Sequence, residues 1–262
     1  MNLHWMHIHD PSDLDGLRSI SEVVNACNYY SILLVYHSLD NDNWIRCANI
    51  INKEHKFKYH IAMRTYSISP EYFVMMYKSF NEIQKNRIMF NIVAGDIQDC
   101  ESSVDDILLS QENLNTVERR VDYTHLWIKK VLSMLNEEDV PEIVMSGTSE
   151  KTLDSAALFA DYNLCMVDTY LDNPEIFKRN KKRIVSAAIV IRDTYEEAER
   201  IVDEIDHKHQ KRWTIFGTEQ QVIEKIKHLE SIGATDLMIR THRNDSQINL
   251  IHDLVRKKDG VI

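Results

Sequence analysis

The chain has 262 residues, of which 44% are hydrophobic and 27% are charged, and its formal net charge is −10. That length suits one (β/α)8 barrel, so we expect a single domain over residues 1–262. The negative charge gives no general attraction to phosphate backbones or anionic lipids, which disfavours nucleic acid and membrane surfaces as partners. The first residues lack a signal-peptide pattern and no stretch has the length of an apolar membrane span, so we expect a cytoplasmic protein.

The sequence predicts strands that alternate with amphipathic helices. The predicted strands are 2–8, 31–36, 57–63, 88–93, 142–145, 164–167, 184–191 and 237–240. Helices are predicted over 12–28, 43–52, 113–135, 173–182, 194–207, 218–233 and 246–255, and two more begin at Ser69 and Ser149. Residues 96–112 are predicted as a polar loop, and residues 210–216 interrupt the alternation.

The clearest unit runs from Tyr59 to Gly95. Ser69-Pro70-Glu71 supplies a hydroxyl cap, a proline at the first helical position and an acid in the first turn, which together predict a helix start. The continuous apolar run 88–93 then predicts a strand that is buried on both sides. This strand–helix–strand unit indicates parallel pairing.

Eight strands with intervening helices predict an α/β fold, a (β/α)8 TIM barrel with few insertions. Active sites of such barrels lie at the carboxyl ends of the strands. The candidate positions are therefore His7, His9 and Asp10; His37 to Asp42; Met63 to Ser67; Ala94 to Asp96; Ser146 to Thr148; Asp168 to Tyr170; Arg192; and Arg240 to His242.

Three chemistries can be compared at these strand ends. His7-x-His9 is typical of a metal hydrolase, but strands five and seven offer no further ligand where one is needed, so no metal is expected. The chain also has no nucleophile-elbow pattern for serine or cysteine catalysis. The run Ser146-Gly147-Thr148-Ser149 precedes a helix, where it would either hold a cofactor phosphate or, more simply, cap the helix through Ser149.

Several motifs occur together in a recognisable order. Ala62-Met63-Arg64 is followed by Ser69-Pro70 and by NRIMFNIVAG at 86–95, and PEIVMSGTSE lies at 141–150. With Trp5, Trp44 and the segment 217–240, they resemble the bacterial luciferase-like flavin monooxygenases, in particular the alkanesulfonate monooxygenase branch. The resemblance covers nearly the whole chain and implies a luciferase-like (β/α)8 barrel.

The resemblance implies reduced FMN as the cofactor, with the deazaflavin F420 as the alternative, and a partner flavin reductase that supplies the reduced FMN. Reduced FMN and oxygen would then oxidise a small organic substrate through a flavin peroxide. It also implies a non-prolyl cis peptide at Ile61-Ala62 behind the flavin ring. Further cofactor-binding residues by resemblance are Asn91 and Ala94 along the ring, and Ser146, Gly147, Thr148 and Ser149 at the phosphate. Asn91 alternatively is a buried amide that is satisfied inside the barrel.

Catalytic candidates follow from the strand ends. His7, His9 and His37 are possible acid–base groups, and Arg64, Lys211 or Arg212 would meet an anion, although Lys211 and Arg212 also suit an exposed turn. Relatives in the family commonly pair, and Phe73, Met75 and Met76 offer apolar surface for a homodimer or higher homo-oligomer.

Other positions depart from the alkanesulfonate pattern. Asp40 replaces a cysteine, Ser186 and Ala188 replace an arginine and a histidine, Thr116-Val117 replaces an Arg-Tyr pair, and 210–213 lacks the glycine-rich loop. Sulfonate oxidation is therefore disfavoured. An F420-dependent oxidoreductase and a flavin-binding protein that has lost catalysis remain as alternatives.

Overall fold

A computed structural model describes residues 1–7, 13–36, 42–93, 114, 116–205, 210–240 and 248–258 of the chain. Its strands are β1 Asn2–His7, β2 Ser31–Leu34, β3 Lys58–Met63, β4 Ile88–Val93, β5 Glu142–Ser146, β6 Tyr162–Met166, β7 Lys182–Ile191, β8 Thr214–Gly217 and β9 Asp236–Arg240. Its helices are α1 Leu14–Ala26, α2 Asn43–Ile50, α3 Pro70–Ile83, α4 Val117–Leu132, α5 Glu150–Phe159, α6 Val167–Asp172, α7 Tyr195–Ile205, α8 Glu219–Ser231 and α9 Ile248–Lys258.

The strands form a closed parallel barrel. Pairing runs in the order β1 to β7, then from β7 to β9 and from β9 back to β1. The remaining strand, β8, pairs with the end of β7, where Ala188 lies between Thr214 of β8 and Arg240 of β9. Because β6 pairs only with the first half of β7, β8 continues the barrel wall beyond the end of β6. The predicted (β/α)8 barrel is thus confirmed.

Side chains alternate between the two faces of the barrel wall. Leu33, Ala62, Met89, Val144 and Ile184 belong to a cluster inside the barrel. The intervening residues, among them Ile32, Ile61, Phe90, Ile143 and Val185, pack with the surrounding helices in the larger outer cluster. This alternation follows from the period of two along a strand, and it assigns a face to every strand residue discussed below.

A polar network ties the amino ends of the strands together. The His4 ring lies 2.7 Å from Ser31 Oγ and 3.2 Å from Asp236 Oδ1, and Asn2 donates to the same carboxylate at 2.9 Å. All these groups except Asn2 are fully buried, so each hydrogen bond replaces one lost to water. Because active sites lie at the opposite end, this network serves barrel closure.

The structure corrects several predicted boundaries. The segment 173–182, predicted as a helix, instead forms a 3-10 turn at Pro174–Arg179 before β7, because Pro174 cannot continue the preceding helix α6. The interruption at 210–216 contains a 3-10 turn at Gln210–Trp213 and then β8. The predicted helix 113–135 begins only at Val117, where the Thr116 side chain caps it.

The structure changes the expected apolar surface for pairing of chains. Phe73 is only 2% exposed, so it offers no surface for pairing of chains, whereas Met75 beside it is 54% exposed. Within the described part of the chain, no helix is long and apolar enough to cross a membrane.

Candidate functional site

A cleft of about 830 Å³ opens at the carboxyl end of β3, between the amino-terminal turns of α2 and α3. Its volume lies within the range of about 300–1,000 Å³ that is usual for ligand pockets. Residues that line it are Tyr36, Asp42, Asn43, Trp44, Ile45, Ile61, Ala62, Met63, Ser67, Ile68, Ser69, Tyr72 and Met76. Ile61 and Ala62, both predicted as cofactor-binding residues, therefore lie at the cleft.

One side of the cleft is fixed by Asn43, which is buried at the start of α2. Its amide nitrogen donates to the carbonyl oxygens of Leu34 at 3.1 Å and Ala62 at 3.0 Å. Arg46 Nη1 donates to the Asn43 side-chain oxygen at 3.0 Å. One side chain thus joins α2 to the ends of β2 and β3. Asn43 carries no local sequence signal of this role, because only the preceding Asp42 gives one, as the helix cap.

An aromatic group forms the apolar wall of the cleft. The Trp44 ring lies 5.8 Å from the ring centroid of Phe73 and 5.4 Å from the centroids of both Phe80 and Phe90. These separations are typical of tilted and edge-to-face aromatic contacts. These contacts hold the Trp44 ring in place, and Trp44 gives the cleft an apolar wall.

Arg64 follows β3 directly and is only 5% exposed. Its guanidinium lies over the rings of Tyr36 at 5.1 Å and Tyr66 at 5.9 Å. Such cation–π contacts hold the plane of the guanidinium in one orientation. The predicted cationic candidate is thus a fixed positive charge at the carboxyl end of the barrel.

The Ile61–Ala62 peptide departs from the resemblance. No peptide bond between described residues is cis, so the expected non-prolyl cis bond is wrong here. β3 keeps regular parallel pairing through this bond, with Ile61 opposite Phe90 and Ala62 opposite Asn91. A regular strand leaves the non-prolyl bond in its trans form, which is lower in energy by about 2.5–4 kcal/mol.

Two predicted cofactor-binding residues contact each other. Ser146 Oγ donates to Asn91 Oδ1 at 2.6 Å, at the adjoining ends of β4 and β5. Asn91 is thus partly satisfied within the barrel, as the simpler interpretation predicted. On β6, Asn163 donates to the carbonyls of Met145 and Gly147, both at 3.2 Å, and so fixes the turn that follows Ser146.

That turn ends in the cap of α5. Gly147 has φ +140°, and an added Cβ would lie 2.8 Å from Thr152 Cγ2, so only glycine fits. The Ser149 hydroxyl accepts from the Thr152 amide at 3.2 Å, which makes Ser149 the helix cap. Gly147, Thr148 and the first amides of α5 suit a phosphate, while the acidic side chain of Glu150 in the first turn weakens that attraction.

Not every predicted residue lies at this site. His9, His37 and Ala94 lie outside the described residues, as does Asp40. His7 alternates with Met6, which packs inside the barrel, and so shares the helix-facing side of β1 with Trp5. In the described ranges, no three His, Cys, Asp or Glu side chains are close enough to bind a metal ion.

The two basic residues of the 3-10 turn form ion pairs at the surface. Lys211 Nζ lies 3.0 Å from Glu199 and 2.9 Å from Asp203, and Arg212 Nη2 lies 3.3 Å from Asp168 Oδ2. Hydrogen bonds to Asp203 and Glu199 raise the pKa of Lys211 above its usual value. The simpler interpretation of an exposed basic turn therefore describes both residues.

No protein-family model matches the chain. Solved structures do match over its full length: the long-chain alkane monooxygenase LadA has 13% identity and a TM-score of 0.77, covering 100% of this chain and 92% of that one. A riboflavin lyase, RcaE, solved with modified FMN and riboflavin, has 12% identity and a TM-score of 0.76, covering 100% and 92%.

A third matching structure binds a deazaflavin. An F420-dependent secondary alcohol dehydrogenase, solved with an F420–acetone adduct, has 11% identity and a TM-score of 0.68, covering 100% of this chain and 99% of that chain. Identities this low show a common fold and do not show a common reaction. The protein therefore has the (β/α)8 barrel fold that these enzymes share.

Proposed function

We propose that the protein is a flavin-dependent oxidoreductase, and more narrowly a monooxygenase that uses reduced FMN and oxygen to oxidise a small organic substrate. The observation that carries the proposal is the cleft at the carboxyl end of β3, with an apolar wall on one side. The hydrogen-bonded pair Asn91–Ser146 lies on the next two strands, β4 and β5. An apolar cleft with a few convergent polar groups is the usual form of a cofactor site. The fold likeness to LadA and RcaE supports the same assignment.

The residues present fit the two halves of FMN. Ile61 and Ala62 line the cleft, and the backbone between them would support the ring, while Asn91 with Ser146 would bond its polar edge. Ser146, Gly147, Thr148 and Ser149 with the start of α5 would receive the phosphate, in a turn where a Cβ at Gly147 has no space. Ala94, outside the described residues, belongs to the same proposal.

When bound, reduced flavin supplies the electrons that activate oxygen. The chain's own part is to hold that cofactor, exclude water and orient the substrate. Trp44, Tyr72 and Met76 line the cleft and would exclude water from the bound cofactor. Arg64 would stabilise negative charge that develops during the reaction, because aromatic contacts fix its guanidinium.

Two residues outside the described part of the chain, His9 and His37, remain our acid–base candidates. His7 faces the helices, so we give it no role. A separate flavin reductase would supply the reduced FMN, and the exposed apolar side chains Ile45, Tyr72 and Met75 near the cleft would mediate pairing with a second copy.

Anaerobic titration with reduced FMN, oxidised FMN and F420 tests the proposal. We expect reduced FMN to bind one molecule per chain, and the complex to consume oxygen when it is mixed with air. Binding of F420 without oxygen consumption would support the deazaflavin alternative. Flavin binding without reaction at any substrate tested would indicate lost catalysis, and binding of none of the three would contradict the proposal.

A further inference from the structure

Arg240 ends β9 at the carboxyl end of the barrel, away from the cleft at β3. It lies two residues after Met238, which packs inside the barrel, so its side chain points into the mouth. The guanidinium lies over the ring of Trp213 at 5.5 Å. Trp213 immediately precedes β8, which forms the wall of the mouth beyond β6. Arg240 and Trp213 therefore meet across the end of β7.

One edge of this guanidinium has no partner. Both Arg240 Nε and Nη2 are buried, and neither has a hydrogen-bond partner among the described residues. These two nitrogens carry parallel N–H groups on the same edge, and this is the edge that receives both oxygens of a carboxylate. Burial lowers the pKa of Arg240 below its usual value, yet a guanidinium remains charged in proteins.

Two small residues of β7 lie beside the end of β9 and face the barrel interior. Ala188 pairs with Arg240 in register. Ser186, two residues earlier on β7, faces the same side of the strand and is fully buried, and its hydroxyl has no hydrogen-bond partner among the described residues. Both side chains are small, which suits the approach of a ligand to the guanidinium. The carboxylate of Asp168 on the neighbouring segment is already paired with Arg212.

We propose that Arg240, Trp213 and Ser186 form a subsite for the carboxylate group of the substrate. A buried charge without a partner is costly, and a ligand carboxylate removes that cost by accepting from Nε and Nη2 together. Trp213 fixes the plane of the guanidinium, which gives the recognition its direction. The chain has a net charge of −10, so binding of an anion depends on a local cation such as this one. The inference rests on the proposed function for the chemistry that follows binding.

Calorimetric titration of the whole protein with hexanoate and with its neutral isostere hexanamide tests the subsite without any substitution. We expect hexanoate to bind at least about tenfold more tightly than hexanamide, because only the carboxylate forms charge-assisted hydrogen bonds. Quenching or enhancement of tryptophan fluorescence by hexanoate should disappear in Trp213→Phe. Equal affinities for the two probes would overturn the proposal.

Substitutions then assign the binding to the guanidinium edge. Arg240→Gln should weaken hexanoate about tenfold or more and leave hexanamide unchanged, and Arg240→Lys should give an intermediate loss, because ammonium lacks the bidentate edge. Arg212→Gln is the matched control, since it removes the same charge from an exposed arginine that is paired with Asp168. Hexanoate affinity that falls equally in Arg212→Gln and Arg240→Gln would contradict direct contact.

A flavin phosphate is the other anion that Arg240 could receive, and FMN titration separates the two. We expect Arg240→Gln to bind FMN as the unsubstituted protein does. Loss of FMN affinity with unchanged hexanoate affinity would assign Arg240 to the cofactor and overturn the proposal. Carboxylate binding in a protein that binds no flavin would uphold the subsite while contradicting the proposed function.

Discussion

His60 lies on β3 inside the barrel and is fully buried. Its ring centroid is 6.5 Å from that of His4, and neither ring nitrogen has a hydrogen-bond partner among the described residues. Burial first, and the electrostatic effect of His4 second, hold the pKa of His60 well below its usual value of 6.5. The folded protein therefore keeps this imidazole neutral, while the unfolded chain takes up a proton below about pH 6.5.

This difference makes stability depend on pH. The contribution of neutral His60 to the unfolding free energy is fully present above the unfolded pKa of 6.5. It is lost as pH falls toward the folded pKa of His60. We expect the unfolding free energy to decrease by up to about 1.4 kcal/mol per pH unit from this one group. Urea unfolding of His60→Leu should show a correspondingly weaker pH dependence, whereas His228→Leu, an exposed control, should not. Identical slopes in His60→Leu and the unsubstituted protein would contradict this account.

At the scale of the element, the first residues of α2 attach this helix to the strand ends. Asn43 reaches two strand ends, and Trp44 packs on aromatic residues of α3 and β4. Both contacts lie at the cleft, so the same residues stabilise the helix and shape the site.

Asn43→Ala should separate this attachment from ordinary helix stability. The substitution removes the amide that donates to the carbonyls of Leu34 and Ala62, and it removes one acceptor of Arg46 Nη1, which also donates to Val35, so it should cost about 2–3 kcal/mol. Asn49→Ala in the same helix is the matched control, because the Asn49 side-chain oxygen has no partner among the described residues. The denaturant midpoints of the two variants measure their losses of stability. Equal losses in Asn43→Ala and Asn49→Ala would contradict the role given to Asn43.

Elements whose signals are local were predictable from the sequence. Ser69 caps α3, Ser149 caps α5 and Thr218 caps α8, each at the predicted position, because a cap depends on residues within one turn. β8 was not predicted as a strand, because four residues carry too little pattern and the strand is defined by its pairing with β7.

Within the site, sequence and structure diverge for the same reason. Ile61, Asn91 and the turn at Gly147 were predicted as cofactor-binding from motifs that lie close together along the chain, and this role stays a prediction. The hydrogen bond from Asn43 to Ala62 and the contact of Trp213 with Arg240 join separate elements, so no local sequence pattern predicts them. The Ile61–Ala62 peptide is trans, so the cis bond that the resemblance implied was a wrong expectation.

For the whole molecule, the parallel barrel is closed where β1 meets β9, and Asp236 lies at that junction. It accepts from Asn2 and from Thr235 at 2.5 Å, and it contacts His4 at 3.2 Å. Burial alone would raise the pKa of Asp236, but the hydrogen bonds and charge of His4, with Thr235 and Asn2, lower it below its usual 3.8.

Asp236→Asn should therefore weaken barrel closure. We expect a loss of about 3 kcal/mol, because a buried pair loses one charged member. In the unsubstituted protein this contribution is present above pH 3.8 and is lost as pH falls through the lower folded pKa, so acid unfolding should become less steep in the variant. Asp15→Asn, at a side chain that is 94% exposed, should change stability by less than about 0.5 kcal/mol. A loss no larger in Asp236→Asn than in Asp15→Asn would rule out this role.

The central claim is that the cleft beside β3 binds the flavin, and obstruction of the cleft tests it most directly. Ser67 lines the cleft and Ser133 lies at the end of α4; both are exposed, and each hydroxyl donates at 2.7 Å to the carbonyl three residues earlier. We would measure the affinity for reduced FMN in Ser67→Trp and in Ser133→Trp. The account predicts a loss of about tenfold or more in Ser67→Trp and none in Ser133→Trp. Unchanged affinity in Ser67→Trp would contradict it.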